Sequence, residues 1–121
     1  MAYPPNHVHP LSRTGAAEPA DTAPERVIAG SGHARTWNAF SDPSGRFHAG
    51  YWQAEAGRIA VDYAESELCV ILVGRVRLTD AAGSSAEFGP GDAFVIAAGF
   101  KGTWESIGRV TKIYALLEPE G

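Results

Sequence analysis

The sequence predicts an all-β domain, a sandwich or a barrel, on three observations. Turn formers recur about every 8 to 15 residues, which leaves room for short strands and for no helix of ordinary length. Aromatic and β-branched residues fill the intervals between those turns from Arg35 onward. Fourteen glycines and eight prolines suit a chain of many turns and would be excessive in a helical bundle.

A length of 121 residues fits one domain and is too short for two ordinary ones. Such a domain buries roughly two-thirds of the surface its unfolded chain exposes, enough for a core without staples. Composition is ordinary for a globular protein, with 45% hydrophobic and 20% charged residues, and no repeat of solenoid length interrupts it. A formal charge of −4 argues against a nucleic-acid footprint or a polybasic membrane patch. The single cysteine, Cys69, rules out an intrachain disulfide framework and fits a cytoplasmic location. The longest apolar stretches, 68–74 and 93–100, fall far short of the roughly 18 to 20 residues of a membrane span. Neither a basic nor an apolar leader segment opens the chain.

Taken in order, residues 1–24 carry Pro4, Pro5, Pro10, Pro19 and Pro24 and few large apolar side chains. They are expected to form a tail that is mobile or drapes over the domain or over a neighbouring subunit, with residues 25–121 as the domain itself. Turns are expected at 42–45, 55–57, 80–83, 89–92, 98–99 and 106–108. Arg75 to Thr79 alternates with period two, so Val76 and Leu78 should face inward. Leu68 to Val73 is apolar on both faces and must be covered twice, by the core and by another element or subunit. Gly74 and Gly83 mark a hairpin after it. The two-sided strand and the proline-rich tail together predict a homodimer.

Two segments narrow the fold. In the first, Tyr63-Ala-Glu65-Ser-Glu67-Leu-Cys69-Val-Ile-Leu-Val-Gly74, six residues separate Glu67 from Gly74. The second is Phe88-Gly-Pro-Gly91-Asp92-Ala-Phe94-Val-Ile-Ala-Ala-Gly99-Phe100-Lys101-Gly102-Thr-Trp104-Glu105. Together they resemble the two motifs of the cupin superfamily, and within it the ureidoglycine aminohydrolase-like single-domain cupins, a group largely of unknown function. The resemblance implies an RmlC-like cupin fold, a double-stranded jelly-roll β-barrel. It also exposes departures: metal-binding cupins carry a His-x-His pair before the first-motif Glu and another His in the second motif. Here residues 60–66 hold no histidine, the Pro of the second motif is Ala97, and the slot for its His falls at Gly102. Of four expected ligands only Glu67 remains. A transition-metal site generally needs three protein ligands, so no metal or other cofactor is expected.

The interior of such a barrel is lined by every second residue of its strands. Counting by twos assembles a candidate pocket. Glu67 and Lys101 are the candidate catalytic residues, and Tyr63, Glu65, Cys69, Trp104 and Tyr114 the candidate ligand-binding residues. Each has a plainer reading: Glu65 as a solvated charge, Cys69 as a small core residue, Trp37, Trp52 and Trp104 as core mass. Lys101 and Lys112, the only lysines, are expected on the surface. His7-Val8-His9 has ligand-like spacing if extended, so His7, His9 or His48 could complete a metal site around Glu67. Three functions follow as expectations: a metal-free binder of a small polar molecule, an enzyme acting on a small nitrogenous substrate as the resemblance implies, or an interaction module with a filled barrel.

Overall fold

A computed structural model describes residues 7–120. They form nine strands and one turn of 3-10 helix (Pro24–Arg26): β1 (Glu18–Pro19), β2 (Val27–Gly30), β3 (Ala34–Ser41), β4 (Phe47–Ala54), β5 (Gly57–Asp62), β6 (Ser66–Asp80), β7 (Ser85–Phe88), β8 (Ala93–Ile96) and β9 (Lys101–Leu117). All pairings are antiparallel. The long strands β6 and β9 pair along their lengths and form the spine. The other edge of β9 is shared, with β5 along Lys101–Ser106 and β4 along Val110–Leu117. β3 and then β1 extend the sheet beyond β4, β2 lies beyond β5, and β7 and β8 close on β6. One curled sheet results, the jelly-roll cupin barrel that the sequence predicts.

Both spine strands bend at a glycine with a left-handed backbone, Gly74 in β6 (φ +84°) and Gly108 in β9 (φ +77°). The register shifts there. Before the bend the odd residues Glu67, Cys69 and Ile71 point inward; after it the even residues Val76 and Leu78 do. The expected turn at 106–108 is corrected accordingly: those residues make a bulge inside a continuous strand. The turns at 42–45, 80–83 and 89–92 close as expected, with Gly45, Gly83 and Asp92 amides donating to the Asp42, Asp80 and Gly89 carbonyls.

Cys69, Ile71, Val76, Leu78, Ile96, Trp104 and Val110 form the buried core. Phe88 stacks on Phe94 at 4.1 Å against it. Residues 18–22 of the proline-rich segment lie along the barrel: β1 pairs with β3, and the Ala20 and Thr22 amides donate to the Ala34 and Gly32 carbonyls. On the outer face of β6, Leu68 and Val73 remain exposed, and no described segment covers them.

Candidate functional site

The site follows from cross-strand register. Directly opposed residues of paired strands share a face. Cys69, Tyr114, Gly50 and Asn38 therefore form one inward row across β6, β9, β4 and β3; Ile71, Lys112, Trp52 and Thr36 form the next. Asn38 and Tyr114 of the first row and Thr36, Trp52 and Lys112 of the second line one side of an open cavity of about 530 Å³, closed on the other by β5, Tyr63 and the segment around Thr22 and Arg26.

Its floor is a buried ion pair. Lys112 Nζ lies 3.0 Å from Glu67 Oε2 and 3.5 Å from Cys69 Sγ. The same ammonium faces the rings of Trp52 and Trp104, 4.7 and 4.3 Å from their centroids. Tyr63 donates its hydroxyl hydrogen to Glu67 Oε1 at 3.0 Å, so both carboxylate oxygens are engaged. Burial, reinforced by the Glu67 charge, keeps the Tyr63 phenol protonated far above its usual range. Burial likewise pushes the Cys69 thiol up to about 12, against the pull of Lys112, so no thiolate forms at neutral pH. Tyr114 is pushed up to about 12, by burial first and Glu67 second.

Tyr114 donates to Asn38 Oδ1 at 2.7 Å, reaching across β4 over Gly50. A Cβ at Gly50 would sit 3.0 Å from the Tyr114 hydroxyl and collide with the Trp37 carbonyl, so the reach depends on that glycine. Asn38 Nδ2 donates to Ser41 Oγ at 2.8 Å, and Ser41 Oγ lies 2.7 Å from His48 Nδ1. His48 Nε2 lies 3.0 Å from the Gly45 carbonyl.

Of the residues expected from sequence, Tyr63, Glu67, Cys69, Trp104 and Tyr114 meet around the floor, and Glu65 stands on the cavity wall. Lys101 does not join them. It is exposed, with its ammonium 3.8 Å from Asp62 at the rim. The lysine beside Glu67 is instead Lys112, which is 4% exposed, and the surface reading of that residue is corrected. Trp52, Asn38 and Gly50 are further contributors that no motif marks. A signal for Lys112 did exist: it stands two residues before Tyr114 on the same strand, hence on the same face.

The donor set does not fit a transition metal. A cation beside Glu67 would meet the Lys112 ammonium already held there. Gly102 cannot stand in for a ligating side chain either, because its Cβ would run into the Thr79 carbonyl. His48 has both ring nitrogens engaged. His7 adopts a left-handed backbone (φ +74°) and His9 packs on Phe40, 4.8 Å between ring centroids, so 7–9 is not the extended ligand pair its spacing suggests. Among the described residues no three His, Cys, Asp or Glu side chains converge as a metal ligand set.

The EutQ-like cupin domain family matches residues 41–114. Among solved structures, a DUF861-family protein of unknown function from Pseudomonas syringae pv. tomato is 28% identical over 88% of this chain, with a TM-score of 0.76. This chain covers 46% of that protein, about half its length. The EutQ protein of Clostridium difficile is 16% identical over 73% of this chain and 64% of its own length, with a TM-score of 0.64. A putative ethanolamine utilization protein Q from Salmonella typhimurium is 15% identical over 88% of this chain and 100% of its own length, with a TM-score of 0.65. The last two likenesses concern the fold alone. No curated protein matches the chain.

Proposed function

Because the chain belongs to the EutQ-like cupin domain family, we propose that it works as a barrel of that kind, binding a small polar metabolite in its interior without a tightly bound transition metal. The observation that carries this reading is the Glu67–Lys112 pair, with side chains 9% and 5% exposed, at the floor of an open cavity. Burying two charges costs several kcal/mol per ion, and well-packed apolar residues of similar size often serve stability as well or better. A barrel that needed only to be filled would have no use for such a pair. A volume of about 530 Å³ lies within the ordinary range for small-molecule sites.

Binding is favoured over turnover by the state of the reactive groups. Both Glu67 oxygens are occupied, the Tyr63 phenol is held protonated, and the Cys69 thiol sits at about 12. Neither the phenol nor the thiol is poised as a base or nucleophile at neutral pH. The nitrogenous-substrate enzyme is therefore the weaker reading.

Thermal unfolding of the full chain against a panel of small polar metabolites tests the proposal. A ligand should raise Tm with saturable dependence, following RT ln(1 + [L]/Kd), or about 2.7 kcal/mol at a hundredfold excess over Kd. Thr36→Trp, which places an indole in the cavity, should abolish the gain. A panel that leaves Tm unmoved, or a gain that survives Thr36→Trp, contradicts the reading.

A further inference from the structure

We infer that this cavity selects small organic cations, bearing an ammonium, amidinium or guanidinium group, and that Asn38 sets the preference by fixing the Tyr114 hydroxyl as a hydrogen-bond acceptor toward the ligand. The inference rests on the binding reading above and specifies its ligand.

The first ground is that the donors of Tyr63, Trp104, Lys112 and Tyr114 are already committed, while of the inward rows Thr36 and Trp52 keep theirs. Tyr63 gives its hydrogen to Glu67, and Trp104 Nε1 donates to Ser106 Oγ at 3.0 Å. Lys112 donates to Glu67 and Cys69, with two indole faces against it. Tyr114 gives its hydrogen to Asn38. A hydroxyl has one hydrogen and two lone pairs, so Tyr63 and Tyr114 both keep acceptor capacity toward the cavity and no donor capacity.

The second ground is the direction of the chain that holds Tyr114. A carbonyl only accepts, so His48 Nε2 carries the hydrogen shared with Gly45. In the neutral ring Nδ1 then accepts from Ser41, and Ser41 accepts from the Asn38 amide. The Asn38 carbonyl oxygen is what remains for Tyr114, which must donate to it. Every bond runs outward from the cavity, and aligned hydrogen bonds reinforce one another.

Charge points the same way. Four carboxylates line the cavity (Asp62, Glu65, Glu67 and Glu118) against two cations, Arg26 and Lys112. Lys112 answers Glu67, and Lys101 stands 3.8 Å from Asp62. Glu65 and Glu118 form no ion pair among the described residues, so an anion reaching past Arg26 would meet uncompensated carboxylates. A ligand cation would meet those carboxylates first and the tyrosine oxygens beyond them. Attraction at the open mouth is screened by salt, whereas the tyrosine contacts are not.

Calorimetric titration with matched probes tests this: n-propylammonium, acetamidinium and methylguanidinium against butyrate and methyl phosphate, with propionamide as the neutral comparator. The cations should bind at least about tenfold more tightly than the anions. Asn38→Leu releases the Tyr114 hydrogen into the cavity, so the cation-to-anion affinity ratio should fall by about tenfold while circular dichroism stays unchanged. Tyr114→Phe keeps the ring and should weaken cation binding alone. Anions that bind as tightly as cations, in a manner blocked by Thr36→Trp, overturn this inference and leave the binding reading standing. An unchanged ratio in Asn38→Leu also overturns it. If no probe of either charge binds, this inference falls, and the binding reading is decided by the metabolite panel above.

Discussion

At the scale of single residues, Lys112→Met keeps the methylene stem and removes the amine, which leaves the Glu67 carboxylate buried without its countercharge. Breaking a buried pair from one side costs about 3–5 kcal/mol, and urea unfolding should show a loss of that size. The double variant Glu67→Gln with Lys112→Met leaves no charge behind and should recover most of it. A single variant that loses less than about 1 kcal/mol would mean the pair is solvated, at the value of a surface bridge. Cys69 offers a pH test. Its folded value near 12 stands above the ordinary 9.0, so the unfolded thiol ionises first and the contribution, intact below pH 9, is lost as pH rises toward 12. Cys69→Ala should make the profile shallower from pH 9, where the thiol alone contributes, while the raised Tyr63 and Tyr114 phenols add their own loss above pH 10; an unchanged slope between pH 9 and 10 would assign the early alkaline loss elsewhere. Why sequence located Glu67, Tyr63, Cys69 and Tyr114 but not their lysine is a question of distance along the chain. Lysine is almost never buried without a partner, and the partner of Lys112 lies 45 residues away. Tyr114, two residues on, marks the inward face of Lys112 but not the partner it meets there.

Elements were legible where their chemistry is local. Asp42-Pro43-Ser44-Gly45 and Asp80-Ala81-Ala82-Gly83 make turns whatever surrounds them, because side-chain capping and a glycine act within four residues. Ile107-Gly108 carries a similar signal and becomes a bulge instead, because β6 bends at Gly74 along the same seam and the paired strands continue past it. That outcome depends on a strand 34 positions away, and no window around residue 108 contains it. Glycines on the spine should therefore be costly to replace. A Cβ at Gly74 would strike the Arg109 carbonyl and one at Gly102 the Thr79 carbonyl, both backbone atoms that cannot swing aside. Gly83 has an equally left-handed backbone (φ +90°) but open space around it. Gly83→Ala should cost only the conformational penalty of roughly 1–2 kcal/mol. Gly74→Ala adds a clash to the same penalty, and Gly102→Ala carries the clash alone. Equal urea midpoints for Gly83→Ala and Gly74→Ala would remove the close-approach argument.

Across the whole molecule, the two-sided apolar strand has an outer face that the described chain leaves bare. Register places Val95, Leu68 and Ala115 in one outward row across β8, β6 and β9, with Leu117 in the next row along β9. Val95 is 64% exposed, Leu117 49% and Leu68 43%. This row carries no charge, and a neutral apolar face is self-complementary: a second copy can meet it across a two-fold axis with no charge to match. The chain already lays part of its N-terminal segment on the same side of the sheet, with the Arg13 guanidinium 5.2 Å over the Tyr51 ring and His9 against Phe40. The described part of that segment, from residue 7 on, leaves these rows bare, and we propose that a second copy of the chain covers them. The cavity opens on the opposite face of the same strands, so the interface and the ligand site can be tested separately. Light scattering after size exclusion should give about twice the mass of one chain, and Leu68→Glu with Val95→Lys should give the mass of one. Ligand stabilisation should survive in that variant, because neither side chain points into the barrel. A wild-type protein that runs as a single chain at high concentration would leave the face uncovered and the dimer disproved.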